Sequence, residues 1–121
     1  MPELRPRALV IDKEPSVRAL VCELLARLGF EAESAADGSS GLARMARRAY
    51  DLVVTEAWDV VDALRRRAAA MPVILISGWA TAADAARARS HGVRLLCKPF
   101  ASEELAQAVA EAVRREPGGT R

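Results

Sequence analysis

Residues 8–13 read Ala8-Leu9-Val10-Ile11-Asp12-Lys13, a run of four apolar residues that ends in two charged ones. Continuous apolar runs of this kind are typical of strands that are buried on both faces of a sheet. The pattern recurs along the chain, where later apolar runs are followed by Glu56, Ser77 and Lys98. In open parallel sheets, ligands bind at the carboxyl ends of the strands, where such polar residues lie.

The apolar runs predict strands at 7–11, 30–34, 51–56, 72–77 and 93–97, and helical patterns alternate with them. Five strands alternating with five helices predict an α/β fold built on a doubly wound parallel sheet. Pro15 and Gly29 bound the first helix, and Thr81 with Asp84 predicts a capping box at the start of the fourth. Ser102 is expected to cap the fifth helix.

Composition indicates a single globular domain, which we place at residues 1–116, with a disordered tail at 117–121. The net charge of +2 is too small to argue for direct nucleic-acid binding, and we interpret most arginines of the second and third helices as solvated. The two cysteines are expected to be free thiols in the cytoplasm. We find no signal peptide and no membrane span, and expect a stand-alone module without an output domain.

Along nearly its whole length the sequence resembles the receiver domain of bacterial two-component response regulators. The resemblance is carried by four segments, which read VIDKEP (10–15), YDLVVTE (50–56), PVILIS (72–77) and KPF (98–100). It implies a flavodoxin-like sheet of five parallel strands in the order 2-1-3-4-5. It also implies a role in two-component signalling and phosphorelay chemistry.

The matching positions imply a degenerate phosphorylation site. Asp12 matches the first of the family's two metal-binding acids, but Lys13 stands where the second acid is expected. Glu56 stands at the phosphoacceptor aspartate, while Ser77 matches the switch hydroxyl and Lys98 the lysine of the family motif. The resemblance therefore indicates a pseudo-receiver that has the scaffold and lacks the phosphoacceptor.

Asp12 and Glu56 are balanced by Lys13 and Lys98, whereas an ordinary receiver site has three carboxylates and one lysine. We therefore expect no bound Mg²⁺, no other metal, no cofactor and no catalysis. Lys13 is either a tethered substitute for the metal or a side chain that extends into solvent. Glu56 is either a partial mimic of a phosphorylated aspartate or a simple salt-bridge partner of Lys98, and either role places it within hydrogen-bonding reach of Lys98.

Only the 15 residues 57–71 lie between Glu56 and Pro72, so we expect a shortened region around the third helix. Trp58 and Trp79 are predicted to lie in loops at the same edge of the sheet. Each is a core-capping residue, a partner anchor or a lid over the pocket. We expect at least one of them to pack over Glu56 and Lys98.

The leading functional hypothesis is a phosphorylation-independent, non-enzymatic module that acts through a protein partner, such as a histidine kinase or another regulator. A second hypothesis is a phosphoacceptor receiver that uses another acid, either Asp59 or Asp12, with Asp59 the better placed. A third is a small-molecule binding module in the crevice at the strand ends. We also predict that the partner or homodimer surface lies on the fourth helix, fifth strand and fifth helix. The charges there either pair across a two-fold axis or form a solvated face; they are Arg87, Arg89, Arg94, Glu103 and Glu104.

Overall fold

The computed structural model of the chain describes residues 5–67 and 70–114. The predicted tail at 117–121 lies outside these residues. Strands and helices alternate in the order β1 (Arg7–Ile11), α1 (Pro15–Arg27), β2 (Glu31–Ala35), α2 (Gly38–Met45), β3 (Leu52–Thr55), α3 (Trp58–Arg67), β4 (Val73–Ser77), α4 (Ala82–His91), β5 (Arg94–Cys97) and α5 (Ser102–Arg114). None of these helices is long and apolar enough to cross a membrane.

The strands form one five-stranded parallel sheet in the order β2-β1-β3-β4-β5, which confirms the predicted fold. Each observed strand agrees with its predicted range to within one residue at either end. The connection from β3 to α3 consists of Glu56 and Ala57 alone, so the region after β3 is as short as the sequence indicates.

The two faces of the sheet are covered by different helices. Along β1, Ala8 and Val10 pack with residues of α1 and α5, whereas Leu9 and Ile11 pack with residues of α3 and α4. Gly41 of α2 lies so close to Ile11 that a side chain here would clash. Burial on both faces explains why the central strands read as continuous apolar runs.

The ends of α4 are as predicted, whereas the start of α5 is not. Thr81 Oγ1 accepts a hydrogen bond from the Asp84 N–H, and the Asp84 carboxylate accepts one from the Thr81 N–H, which completes the capping box. The prediction that Ser102 caps α5 was wrong by one residue. Ser102 is the first residue of the helix, and the Glu104 carboxylate reaches back to the N–H of Ala101 at 2.7 Å.

Candidate functional site

The carboxyl ends of the parallel strands bring the predicted site residues to one edge of the sheet. The main-chain ladder continues one residue beyond the strands, since Glu56 N–H donates to the Ile11 carbonyl and Lys98 N–H donates to the Ser77 carbonyl. Asp12 N–H likewise donates to the Ala35 carbonyl of β2. These backbone hydrogen bonds fix the main-chain positions of Asp12, Glu56 and Lys98. Which of their side chains contact one another depends on the side-chain conformations.

Asp12 is the buried acid of this edge, with 2% of its surface exposed. Its Oδ1 accepts a hydrogen bond from the Glu14 N–H at 2.9 Å. Its Oδ2 has no hydrogen-bond partner among the described residues, and the Lys98 ammonium lies 4.0 Å away from it. The lysine therefore compensates the Asp12 charge through space rather than through a hydrogen bond.

Glu14 is the closer partner of Lys98. Its Oε1 accepts a hydrogen bond from the Lys98 ammonium at 3.2 Å, so one lysine serves two carboxylates. The family resemblance implies a position that is often acidic but is not the main metal ligand, so it did not predict Glu14 as a partner of Lys98. The signal that could have found it is its position, since Glu14 immediately precedes α1 at the same edge of the sheet.

The prediction that Glu56 lies within hydrogen-bonding reach of Lys98 was wrong. In the described part of the chain the salt bridges of Lys98 go to Asp12 and Glu14, while Glu56 Oε2 accepts a hydrogen bond from the Lys13 N–H at 3.2 Å. Because β3 neighbours β1, the Lys13 N–H on the adjacent β1–α1 connection is close enough to hold the Glu56 carboxylate. Lys98 extends past β4 and β3 to the carboxylates that follow β1, and its ammonium is engaged there.

Lys13 contributes its backbone rather than its ammonium. Its side chain is exposed and forms no salt bridge with any described residue. This favours the second of its two interpretations, a side chain in solvent, over a tethered substitute for a metal ion. A cation that the sequence reading missed is Arg18, whose Nη1 donates to the Asp12 carbonyl at 2.7 Å.

Mg²⁺ takes octahedral oxygen coordination, usually one or two carboxylates with waters, and few carboxylate oxygens are free at this edge. One oxygen of Asp12 and one of Glu56 are engaged by backbone N–H groups, and the remaining Asp12 oxygen faces an ammonium. No group of three or more His, Cys, Asp or Glu side chains within residues 5–67 and 70–114 is arranged to hold a metal ion.

Ser77 and Asp59 do not join the cluster. The Ser77 hydroxyl accepts a hydrogen bond from the Trp79 N–H at 3.1 Å and so stabilises the loop after β4. Asp59 is exposed on the first turn of α3 and makes no described polar contact with Asp12, Ser77 or Lys98.

The expectation that a tryptophan covers Glu56 and Lys98 was wrong for both residues. Trp58 is the first residue of α3 rather than a loop residue, and its ring packs against α4. The Arg87 guanidinium lies 4.3 Å from the Trp58 ring centroid, and the His91 ring meets it edge-on at 6.0 Å. Trp79 does lie in the loop after β4, but it is 85% exposed and covers nothing there.

The charged residues of α4, β5 and α5 are partly used within the chain. Arg87 pairs with Asp62 at 2.9 Å, and Arg94 pairs with Glu111. Glu104 is engaged by the Ala101 N–H. Of the five charges expected at a dimer face, Arg89 and Glu103 are those whose side chains have no partner among the described residues.

Known proteins with the same architecture resemble this chain closely enough to align over most of its length. A family model described as the response regulator receiver domain matches residues 8–110. The nitrogen assimilation regulatory protein NtrX of Azorhizobium caulinodans is 29% identical over 107 residues, covering 80% of this chain and 24% of that protein. The DNA-binding dual master transcriptional regulator RpaA of Synechocystis is 30% identical over 120 residues, covering 91% of this chain and 50% of that protein.

Among solved structures, the receiver domain of NtrX from Brucella abortus superposes with a TM-score of 0.81 at 28% identity. The match covers 90% of this chain and 99% of that one. By contrast, the chain spans between about a quarter and a half of the length of the two curated relatives.

Proposed function

Because this chain belongs to the response regulator receiver domain family, we propose that it signals through protein contacts without accepting a phosphoryl group. Receiver domains are non-enzymatic modules of two-component signalling. The proposal rests on the contacts that the Lys98 side chain makes. Its ammonium, which the family motif reserves for the phosphorylated aspartate, is bound to Glu14 and lies beside Asp12.

One further contact supports the same conclusion. Glu56 replaces the acceptor, and its carboxylate is held by the Lys13 N–H instead of facing Lys98. An incoming phosphodonor would need a cation to offset its charge, and Lys13 stands where the family has its second metal-binding acid. At this edge the lysine is therefore paired with Glu14 and the acceptor position holds a glutamate bound to a backbone N–H, whereas a receiver that is phosphorylated needs an aspartate, a bound cation and an available lysine.

We expect no phosphorylation when the protein is incubated with acetyl phosphate and Mg²⁺, because the nucleophile, the metal ligands and the lysine are all altered or engaged. Intact-mass spectrometry measures the result, with a phosphorylatable receiver as the positive control. A product one phosphoryl group heavier would contradict the proposal. If that product disappeared in Asp59→Asn, the alternative of a phosphoacceptor receiver using Asp59 would take its place.

We also propose that the partner is a protein of bacterial signalling, such as a histidine kinase or another regulator, and that the chain works in the cytoplasm without touching nucleic acid. Trp79 supports a protein partner, since a tryptophan exposed on a loop is the kind of residue that anchors an interface. The net charge of +2 gives little attraction to a phosphate backbone. The free cysteines are consistent with a reducing compartment.

A homodimer through α4, β5 and α5 remains part of this proposal. Arg89 and Glu103 are the charges left to pair across a two-fold axis, so Arg89→Glu should shift sedimentation towards the monomer without altering the melting temperature. Arg66→Glu on α3 is the control, because this exposed arginine lies off that face. Wild-type protein that stays monomeric at every concentration would exclude the dimer.

A further inference from the structure

A polar cavity lies away from the Asp12 edge, beside the amino end of β3. It has a volume of about 390 Å³ and is lined by Glu33, Arg44, Arg47, Arg48 and Tyr50, a set we term the arginine pocket. Arg44 belongs to the last turn of α2, while Arg47 and Arg48 follow that helix. Cavities of this size are typical of small-molecule sites.

We propose that the arginine pocket binds the dianionic phosphoryl group of a small molecule. The first argument is charge. Arg44, Arg47 and Arg48 carry three positive charges against the single carboxylate of Glu33, which leaves an excess of two. A phosphomonoester near neutral pH carries about −1.5 to −2 charges, which matches that excess.

The neighbouring charges do not cancel this excess. Arg7 approaches Glu33 at 3.7 Å, but its guanidinium is closer to Glu31, at 3.1 Å, and these two charges balance each other. Asp51 accepts a hydrogen bond from the Arg7 N–H and does not line the cavity.

The second argument is the supply of hydrogen-bond donors. Arg44 and Arg48 each contact Glu33 through Nη1, and the side chains of both are 50% exposed. The Arg47 guanidinium has no hydrogen bond or ion pair with any residue that the structure describes. Since a guanidinium has five N–H donors in a planar fork suited to phosphate, most of the donors here are unused by the chain.

The third argument is that the pocket is held in shape before any ligand arrives. Glu33 is only 18% exposed, and its Oε1 accepts a hydrogen bond from the buried Tyr50 hydroxyl at 2.6 Å. This hydrogen bond, together with Arg48 and Arg44, lowers the pKa of the Glu33 carboxyl below its usual value. Glu33 is therefore ionised at neutral pH and positions the two arginines, which reduces the entropy that binding would cost.

A purely structural ion-pair network explains Arg44 and Arg48 equally well, because both are paired with Glu33. It does not explain Arg47, which lines the same cavity and pairs with nothing described. The two explanations therefore differ at Arg47. In a structural network its guanidinium has no role, whereas in a phosphoryl site it contacts the ligand.

Titration calorimetry at physiological ionic strength, with inorganic phosphate and glycerol phosphate as probes, tests the proposal. We expect saturable binding of at least one probe, and Arg47→Ala should weaken it about tenfold or more, the effect of losing a charge-assisted hydrogen bond. Arg66→Ala is the matched control, since it removes one exposed positive charge from α3 and should leave binding unchanged. Both variants should melt like the wild type.

The two probes identify the source of the phosphoryl group. Tighter binding of glycerol phosphate would assign a phosphomonoester that uses the rest of the cavity, whereas equal or tighter binding of inorganic phosphate would assign the free ion. The proposal is overturned if neither probe binds saturably, or if Arg47→Ala and Arg66→Ala weaken binding equally. This outcome is independent of whether the Asp12 edge accepts a phosphoryl group.

Discussion

Replacing Lys98 by alanine is expected to lower the free energy of unfolding by about 3 kcal/mol, the usual cost of leaving a buried charge without its partner. Asp12 is 2% exposed, and its Oδ2 has no hydrogen bond among the described residues to replace the ammonium at 4.0 Å. Urea denaturation at neutral pH measures the change.

Glu14→Gln is the matched variant for this prediction. It weakens the other ion pair of the same lysine, but Glu14 is exposed, so the cost should stay below about 1 kcal/mol. Glu56→Ala should also cost no more than about 1 kcal/mol, because it removes a single hydrogen bond to the Lys13 N–H. If Lys98→Ala costs no more than Glu14→Gln, water rather than lysine compensates Asp12.

Arg65→Ala should be the other strongly destabilising change, with a loss of about 3 kcal/mol, since several hydrogen bonds from one charged group are removed together. The guanidinium of Arg65 donates to the backbone carbonyls of His91, Met71 and Gly92 at 2.6, 2.9 and 3.3 Å. These bonds tie the end of α3 to the end of α4 and to the segment before β4. They also satisfy carbonyls that the end of a helix leaves unpaired.

Thermal and urea unfolding of Arg65→Ala beside Arg66→Ala checks this prediction. Arg66 is the adjacent, exposed arginine of α3, and its replacement should change stability by no more than about 0.5 kcal/mol, as is usual for surface substitutions. Arg65→Lys should recover part of the loss, because an ammonium can donate to one or two of the carbonyls but lacks the planar fork. Equal stability of the two alanine variants would show that water replaces these bonds at little cost.

The contrast between Arg65 and Arg66 shows that a run of charged residues does not reveal which of its members is buried. Both belong to the run Arg65-Arg66-Arg67, which a sequence pattern assigns to a solvated helix face. Arg66 and Arg67 are exposed as expected, whereas burial lowers the pKa of Arg65. Only the packing of α3 against the end of α4 distinguishes these residues. Arg65 donates there to His91, which lies 26 positions further along the chain, so a local sequence pattern does not reveal the contact.

The sequence by itself determined the strands and the set of polar residues at the carboxyl edge. Apolar runs of strand length locate buried parallel strands, and the family resemblance supplied the order that the structure confirms. Asp12, Glu56 and Lys98 reach the same edge because the residues that follow parallel strands all emerge there.

Only the tertiary structure decided which of these side chains meet. Lys98 pairs with Glu14 and faces Asp12, Glu56 turns to the Lys13 N–H, and Trp58 packs on α4. The physical reason is that a hydrogen bond or ion pair requires atoms within about 3–4 Å, whereas the register of a sheet places its residues only in steps of about 4.8 Å between strands. Which neighbour a flexible side chain reaches within that spacing depends on the strands and helices beside it, and these contacts leave no periodic signal in the sequence.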